Sequence, residues 1–174
     1  MAEIYVPIDY SNLKEILPVG DDIIYSTLCK AYHTDDAGSL IIWKTHLLMT
    51  EKGIAFSKPG EKKKDPPELI YVDWTKVVYV LKKGLRVNIS IGYPASKFDY
   101  EMVDLNLKSD PNFESKDKFK KRLNEFPRKF IPYVLEKKKA FLSSPDSSFL
   151  NIKQRKLQEN ALTKLEKFFN KKFK

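Results

Sequence analysis

The chain is poor in the residues from which most reaction centres are built. It has one cysteine, Cys29, two histidines, His33 and His46, four arginines and six glycines among 174 residues. A lone cysteine excludes an internal disulfide and any cysteine-based metal centre. The histidines stand thirteen residues apart and would need further ligands to hold zinc. No glycine-rich phosphate loop and no Gly-x-Ser-x-Gly elbow occurs. The carboxylate pairs Asp21/Asp22, Asp35/Asp36 and Asp99/Glu101 fall in turns or at strand starts, and adjacent acids in a strand point to opposite faces, away from any shared substrate. These absences predict a protein that is not an enzyme and takes no cofactor and no metal. There is also no run of about eighteen apolar residues, and Met1 to Tyr10 is mixed and acidic. The expectation is a soluble cytoplasmic protein, at most peripheral to membranes.

What is present is positive charge, unevenly placed. Residues 1–110 carry 14 Lys/Arg against 16 Asp/Glu, whereas residues 111–174 carry 18 against 7, and the chain as a whole is +9. Hydrophobic residues make up 42% and aromatics 13%, enough to build a core and to exclude disorder over most of the length. The first part reads as short strands and the second as helices, so the basic character sits on helices.

Ser11 to Ile16 reads as a short helix capped by Ser11, with Leu13, Ile16 and Leu17 packing inward. Asp22 to His33 alternates, with Ile23, Tyr25, Thr27, Cys29 and Ala31 on one face. Thr34 to Ser39 has turn chemistry and Leu40 to Thr50 resumes a β-branched and aromatic run, so the two form a hairpin. Glu51-Lys52-Gly53 supplies a tight turn with glycine placed for a positive φ, and Ile54 to Ser57 begins a third strand. Pro59 to Pro67 is a mobile loop. Leu69–Asp73, Val77–Leu81, Leu85–Ile91 and Phe98–Leu107 complete seven strands, the last with Val103, Leu105 and Leu107 on one face.

After the sheet, Ser115 caps a helix whose Phe119, Leu123, Phe126, Phe130, Val134 and Phe141 recur at helical spacing. Pro127 and Pro132 interrupt it and predict a kink or a break. Ser143 to Ser148 is a polar linker. Ile152 to Phe173 forms a second helix with Leu157, Ala161, Leu162, Leu165, Phe168 and Phe169 on one side and lysines over the rest.

Seven antiparallel strands followed by a capping helix resemble the pleckstrin-homology superfold over about Leu17 to Leu142. The stretch Gly38-Ser-Leu-Ile-Ile-Trp-Lys-Thr-His-Leu-Leu-Met-Thr-Glu-Lys-Gly53, with Ile54-Ala-Phe56 after it, is similar to the GRAM and GLUE branches. The fold class this implies is α+β, a PH-like seven-stranded bent antiparallel sheet or barrel capped by a C-terminal helix, plus an additional amphipathic helix. The division is an N-terminal extension over 1–16, the PH-like domain over 17–142, and a linker with a basic helix over 143–174. Such domains bind phosphoinositide headgroups, and GLUE domains of the ESCRT-II trafficking complex also bind ubiquitin. The resemblance places the headgroup site at Lys30, Lys44 and His46. His46 stands where lipid-binding members carry an arginine.

Two further candidates come from the residues themselves. Lys62, Lys63 and Lys64 form a basic loop tip able to approach an anionic bilayer. On the last helix, Lys156, Leu157, Leu165, Phe168 and Phe169 combine an apolar stripe with a cationic face, as an interfacial or groove-binding helix requires. The partners expected are an anionic membrane surface and a protein such as ubiquitin. Nucleic acid is the alternative: the net charge attracts phosphates at long range. Yet arginines are few, and no helix-turn-helix, zinc-finger or RNP-like spacing occurs.

Overall fold

The computed structural model describes residues 4–34, 37–60, 62, 64–74, 77–83, 86–94, 100–108, 115–148 and 150–173. The elements in chain order are β1 (Ile4–Tyr5), α1 (Tyr10–Ile16), β2 (Tyr25–Thr34), β3 (Leu40–Met49), β4 (Gly53–Lys58), β5 (Glu68–Asp73), β6 (Val77–Lys83), β7 (Arg86–Pro94), β8 (Tyr100–Lys108), α2 (Lys116–Leu142) and α3 (Ile152–Phe173). Strands β2 to β8 are the seven expected from the sequence. They form one antiparallel sheet in the order β5-β4-β3-β2-β8-β7-β6. The fold is therefore α+β, with the strand order and trailing helix of a PH-like sheet. It is open, with β5 and β6 at its two ends.

Alternation in β2 and β3 decides which face is the core. Thr27, Cys29, Ala31 and His33 are buried on β2, and Trp43, Thr45 and Leu47 on β3. Val103, Leu105 and Leu107 of β8 and Ile89 of β7 join them in the main core. Helix α2 lays Leu123, Phe130, Ile131 and Val134 on this face, with Phe119 packed at its margin. Phe130 is edge-on to Tyr25 at 5.5 Å and tilted against Trp74 at 5.6 Å. Arg122 secures the first half of α2 to the start of β2: its guanidinium lies 4.6 Å from the Tyr25 ring and donates to the Ser26 carbonyl.

Helix α2 runs unbroken through Pro127 and Pro132 for 27 residues, so of the kink or break expected there the break does not occur. Pro132 lies on the exposed side, where water can reach the carbonyl that its missing N–H leaves unbonded. The apolar stripe on the opposite side holds the helix to the sheet across that point.

The short helix α1 departs from expectation in detail. Its N-cap is Asp9, whose carboxylate accepts from the N–H groups of Ser11 and Asn12. The Ser11 side-chain hydrogen bond and the Asn12 N–H hold the Asp9 carboxyl below its usual value. That contribution to helix stability is present above the ordinary carboxylate range and is lost as the pH falls through the lowered value. Leu13 is buried, but Ile16 is 37% exposed instead of packing inward. Leu13 and Ile8 meet Leu48 and Ala55 in a small second core, with Leu17, Leu69 and Tyr71 around it. Leu48 lies on the outward face of β3, so α1 covers one end of that face while the rest stays open.

The sheet divides between β3 and β4. Their paired residues are Leu48↔Ala55 and Met49↔Ile54, after which β4 runs with β5 for its whole length. Two features bridge the divergence. β1 adds in parallel to β3, with Ile4 opposite Trp43 and Tyr5 opposite Lys44, and the Val6 N–H donates to the Lys44 carbonyl at 2.7 Å. The fully buried Trp43 indole donates to the Ser57 carbonyl of β4, also at 2.7 Å.

At the β3–β4 turn the Thr50 hydroxyl donates to buried Asp21 at 2.6 Å and accepts from the Gly53 N–H at 2.9 Å. The Trp74 indole donates to the Thr50 carbonyl. Burial, and then the Asp21 carboxylate, push the Tyr71 phenol well above its usual range. Gly53 does not have the positive φ expected of it. A side chain there is excluded by close approach instead, since a Cβ would lie 2.3 Å from the Val72 carbonyl oxygen.

Helices α2 and α3 meet through a polar seam. Asn151 and Gln154 bond reciprocally at the start of α3, the arrangement of a capping box, and Arg155 donates to the Leu142 and Ser147 carbonyls. Lys138 of α2, 1% exposed, donates to Gln158 of α3.

Cys29 is fully buried, and desolvation pushes its thiol up to about 12. Because the thiolate is the reactive form, the native protein is expected to resist thiol reagents at neutral pH and to be labelled only as it unfolds. Stoichiometric labelling of the folded protein, faster than unfolding, would contradict this placement.

Candidate functional site

The outward face of β2, β3 and β8 carries the residues that the family resemblance singled out. Lys30 and Lys44 are directly opposite across the β2–β3 ladder, and Lys30 faces Asn106 across the other. Cross-strand neighbours of this kind have Cβ atoms about 5 Å apart, so the two side chains present their charge from one spot on the face. The Lys30 ammonium lies 5.6 Å from the Tyr32 ring centroid. His46 is two residues along β3 from Lys44 on the same face. Its Nδ1 is 2.6 Å from the Tyr5 hydroxyl and the rings meet edge to face at 5.7 Å. The phenol donates when Nδ1 is unprotonated and accepts when it carries the proton.

The structure thus brings Lys30, Lys44 and His46 together, on an open sheet face. The two histidines are parted by the sheet: His33 points into the core at 8% exposure and His46 outward. Two residues of this face escaped the sequence reading. Lys108 shares it, since it follows the alternation that buries Leu105 and Leu107 and leaves Asn106 outward. Tyr5 reaches it through the β1–β3 pairing, which brings it opposite Lys44 and to His46, 41 residues away in the chain. No local pattern announces such a contact. The Lys108 alternation was legible.

Apolar residues border the cations. Leu40 is 60% and Tyr5 48% exposed, and Ile42 is also exposed. The antiparallel register puts the β4–β5 loop at the same end of the sheet as the β2–β3 turn and Leu40. Lys62 and Lys64 are exposed on that loop, and Lys63 lies outside the described residues. The loop is bonded at its tip, where the Lys62 N–H donates to the Asp65 carboxylate and the Asp65 N–H to the Lys62 carbonyl. Asp35 and Asp36 of the β2–β3 turn lie outside the described residues.

On α3, Lys156 and Leu157 are exposed, but Leu165 is 1% exposed in the main core and Phe168 and Phe169 pack against it. The apolar stripe predicted to face a membrane or partner is engaged with α2 and β6 of its own fold. Periodicity shows that a helix has an apolar side but not what the side meets. Among the described residues no helix is long and apolar enough to cross a membrane, and no three His, Cys, Asp or Glu side chains gather as a metal site would require.

No family model matches the chain, and no curated protein matches it. Among solved structures it is similar to one described as the Vps36 N-terminal PH domain, at 15% identity and a TM-score of 0.34, covering 66% of this chain and 87% of that one. A likeness of that size establishes nothing by itself, and the fold rests on the strand order and register given above.

Proposed function

We propose that the chain is a non-enzymatic, PH-like adaptor that binds an anionic membrane surface, with a phosphoinositide headgroup as the lipid feature it reads. The contact is the outward face of β2 and β3 and the adjoining end of the sheet. The observation that supports this most is the direct opposition of Lys30 and Lys44 beside exposed Tyr5, Leu40 and Ile42. Cations near an anionic leaflet each contribute roughly 1 kcal/mol, and apolar side chains among them gain by entering the headgroup boundary. Lys62 and Lys64 extend the cationic area at the same end. A face made to stack nucleobases would pair its cations with several aromatic platforms, whereas aliphatic side chains supply much of the exposed apolar surface.

Co-sedimentation with phosphatidylcholine vesicles, with and without a phosphoinositide, tests the proposal. Replacing Lys30 and Lys44 together by alanine is expected to weaken vesicle binding by about 2 kcal/mol, roughly thirtyfold. Changing Leu40 and Ile42 to serine should make the remaining binding collapse at moderate salt. Unchanged affinity in the double-lysine variant would remove this face from the reading. Tight duplex-DNA binding with a steep salt dependence, and none to vesicles, would reassign the protein to the nucleic-acid class.

A further inference from the structure

A second surface of opposite character lies beside α1. An open cleft of about 450 Å³ is lined by Tyr10, Leu13, Leu17, Pro18, Val19 and Ile23, with Lys14, Asp21 and Asp22 among its polar members. Its tip is a built turn. The Asp21 N–H donates to the Pro18 carbonyl at 3.0 Å, and Gly20 at φ 79° supplies the left-handed step. Asp21 is anchored by Thr50, and the Lys52 ammonium reaches the Val19 carbonyl at 3.4 Å. This anchored turn holds Val19 at 99% exposure, next to Tyr10 at 58% and Ile23 at 39%. A valine side chain presented fully to solvent by a fixed turn, at the edge of an apolar cleft, has the form of a contact residue.

The charge around the cleft inverts that of the molecule. Residues 9–23 and 50–53 hold Asp9, Glu15, Asp21, Asp22 and Glu51 against Lys14 and Lys52, in a chain of net +9. At physiological salt, charges beyond about 8 Å are largely screened. Local charge therefore governs what settles there, and an apolar segment flanked by lysines is the complement.

The same chain displays such a segment. At the start of α3, Ile152 is 89% and Leu157 49% exposed, and Lys153 and Lys156 are exposed with them. At 100° per residue these four side chains span about 140° of the helix surface. They lie apart from the membrane face proposed above, and no α3 residue lines the cleft of its own molecule.

We propose that the cleft beside α1 receives the first turns of α3 from a second copy of this chain. Ile152 and Leu157 enter against Val19, Ile23 and Tyr10, while Lys153 and Lys156 face Asp22 and Glu15. The two patches are different, so the contact is heterologous, and one molecule can offer its cleft while another offers its helix. A contact of this small extent is weak and forms at high concentration.

Sedimentation velocity of the full chain from low to high micromolar concentration tests this. The expected result is an average mass that rises with concentration. Val19→Asp with Ile23→Asp should return the protein to monomer, and so should Ile152→Asp with Leu157→Asp. An equimolar mixture of the two variants should recover a one-to-one complex, because each keeps the half that the other lacks. The high exposure of Val19 and Ile152 leaves the core untouched, and unchanged thermal melts verify it. Lys30→Ala with Lys44→Ala should leave the association intact, which separates this test from that of the membrane face. A chain monomeric over the whole range overturns the proposal, as does association that persists in both variants. Binding of a synthetic peptide copying residues 150–164 to the cleft of a chain that stays monomeric would also overturn it, in favour of a foreign basic segment.

Discussion

Phe130→Ala is expected to lower the unfolding free energy by about 3–5 kcal/mol, the range for deleting a buried aromatic side chain. Phe130 is fully buried and touches three other aromatic rings, Tyr25 at 5.5 Å, Trp74 at 5.6 Å and Tyr133 at 6.2 Å. Those rings come from the start of β2, the residue just after β5 and α2 itself, so one side chain joins the helix to both halves of the divided sheet. Domains of this size are stable by about 5–15 kcal/mol, so the loss is a large fraction of the whole. Guanidinium unfolding provides the measurement, with Phe130→Leu as a milder control that retains most of the volume. A midpoint for the alanine variant equal to that of the parent would show that α2 is not held through this ring.

Gly53→Ala is expected to cost about 1–3 kcal/mol by overpacking. The added Cβ would lie 2.3 Å from the Val72 carbonyl oxygen and 2.8 Å from the Asp73 Cα, both backbone atoms that cannot rotate away. Relief requires the β4–β5 ladder to shift, and Gly53 also bonds the Thr50 hydroxyl that anchors Asp21. Amide hydrogen exchange should accelerate first across β4 and β5. Gly20→Ala supplies the contrast: nothing lies within 4 Å of its Cβ position, and its strain comes from φ +79° alone, roughly 1–2 kcal/mol for a left-handed alanine. Equal exchange profiles for the two variants would show that the close approach at Gly53 has no consequence.

The strands of the main sheet were legible because their alternation is strict: Thr27, Cys29, Ala31 and His33 all fall on one face, as do Val103, Leu105 and Leu107. The run Leu47–Thr50 is different. It is buried on both sides, since α1 covers the outward one, and a continuous apolar run does not say what lies over it. The unbroken α2 shows the same limit from another direction. Proline chemistry is local and predicts a kink or a break, while the packing of Phe130, Ile131 and Val134 against a distant sheet prevents the break. For the candidate site, Lys30 and Lys44 could be matched by position, but their direct opposition is set by the register of the β2–β3 hairpin. The contact from Tyr5 to His46 arises only when the chain folds back on itself, so no window of sequence contains it.

The positions of the two tryptophans determine what an optical experiment can see. Trp43 and Trp74 are both fully buried, and each indole N–H is bonded to a carbonyl on the β3–β5 side, Ser57 for one and Thr50 for the other. Their intrinsic fluorescence therefore reports on that flank, and no indole lies on either long helix. Undocking of α3 from α2 would leave the emission spectrum close to its native form while ellipticity or exchange changed. A single-wavelength melt would miss it.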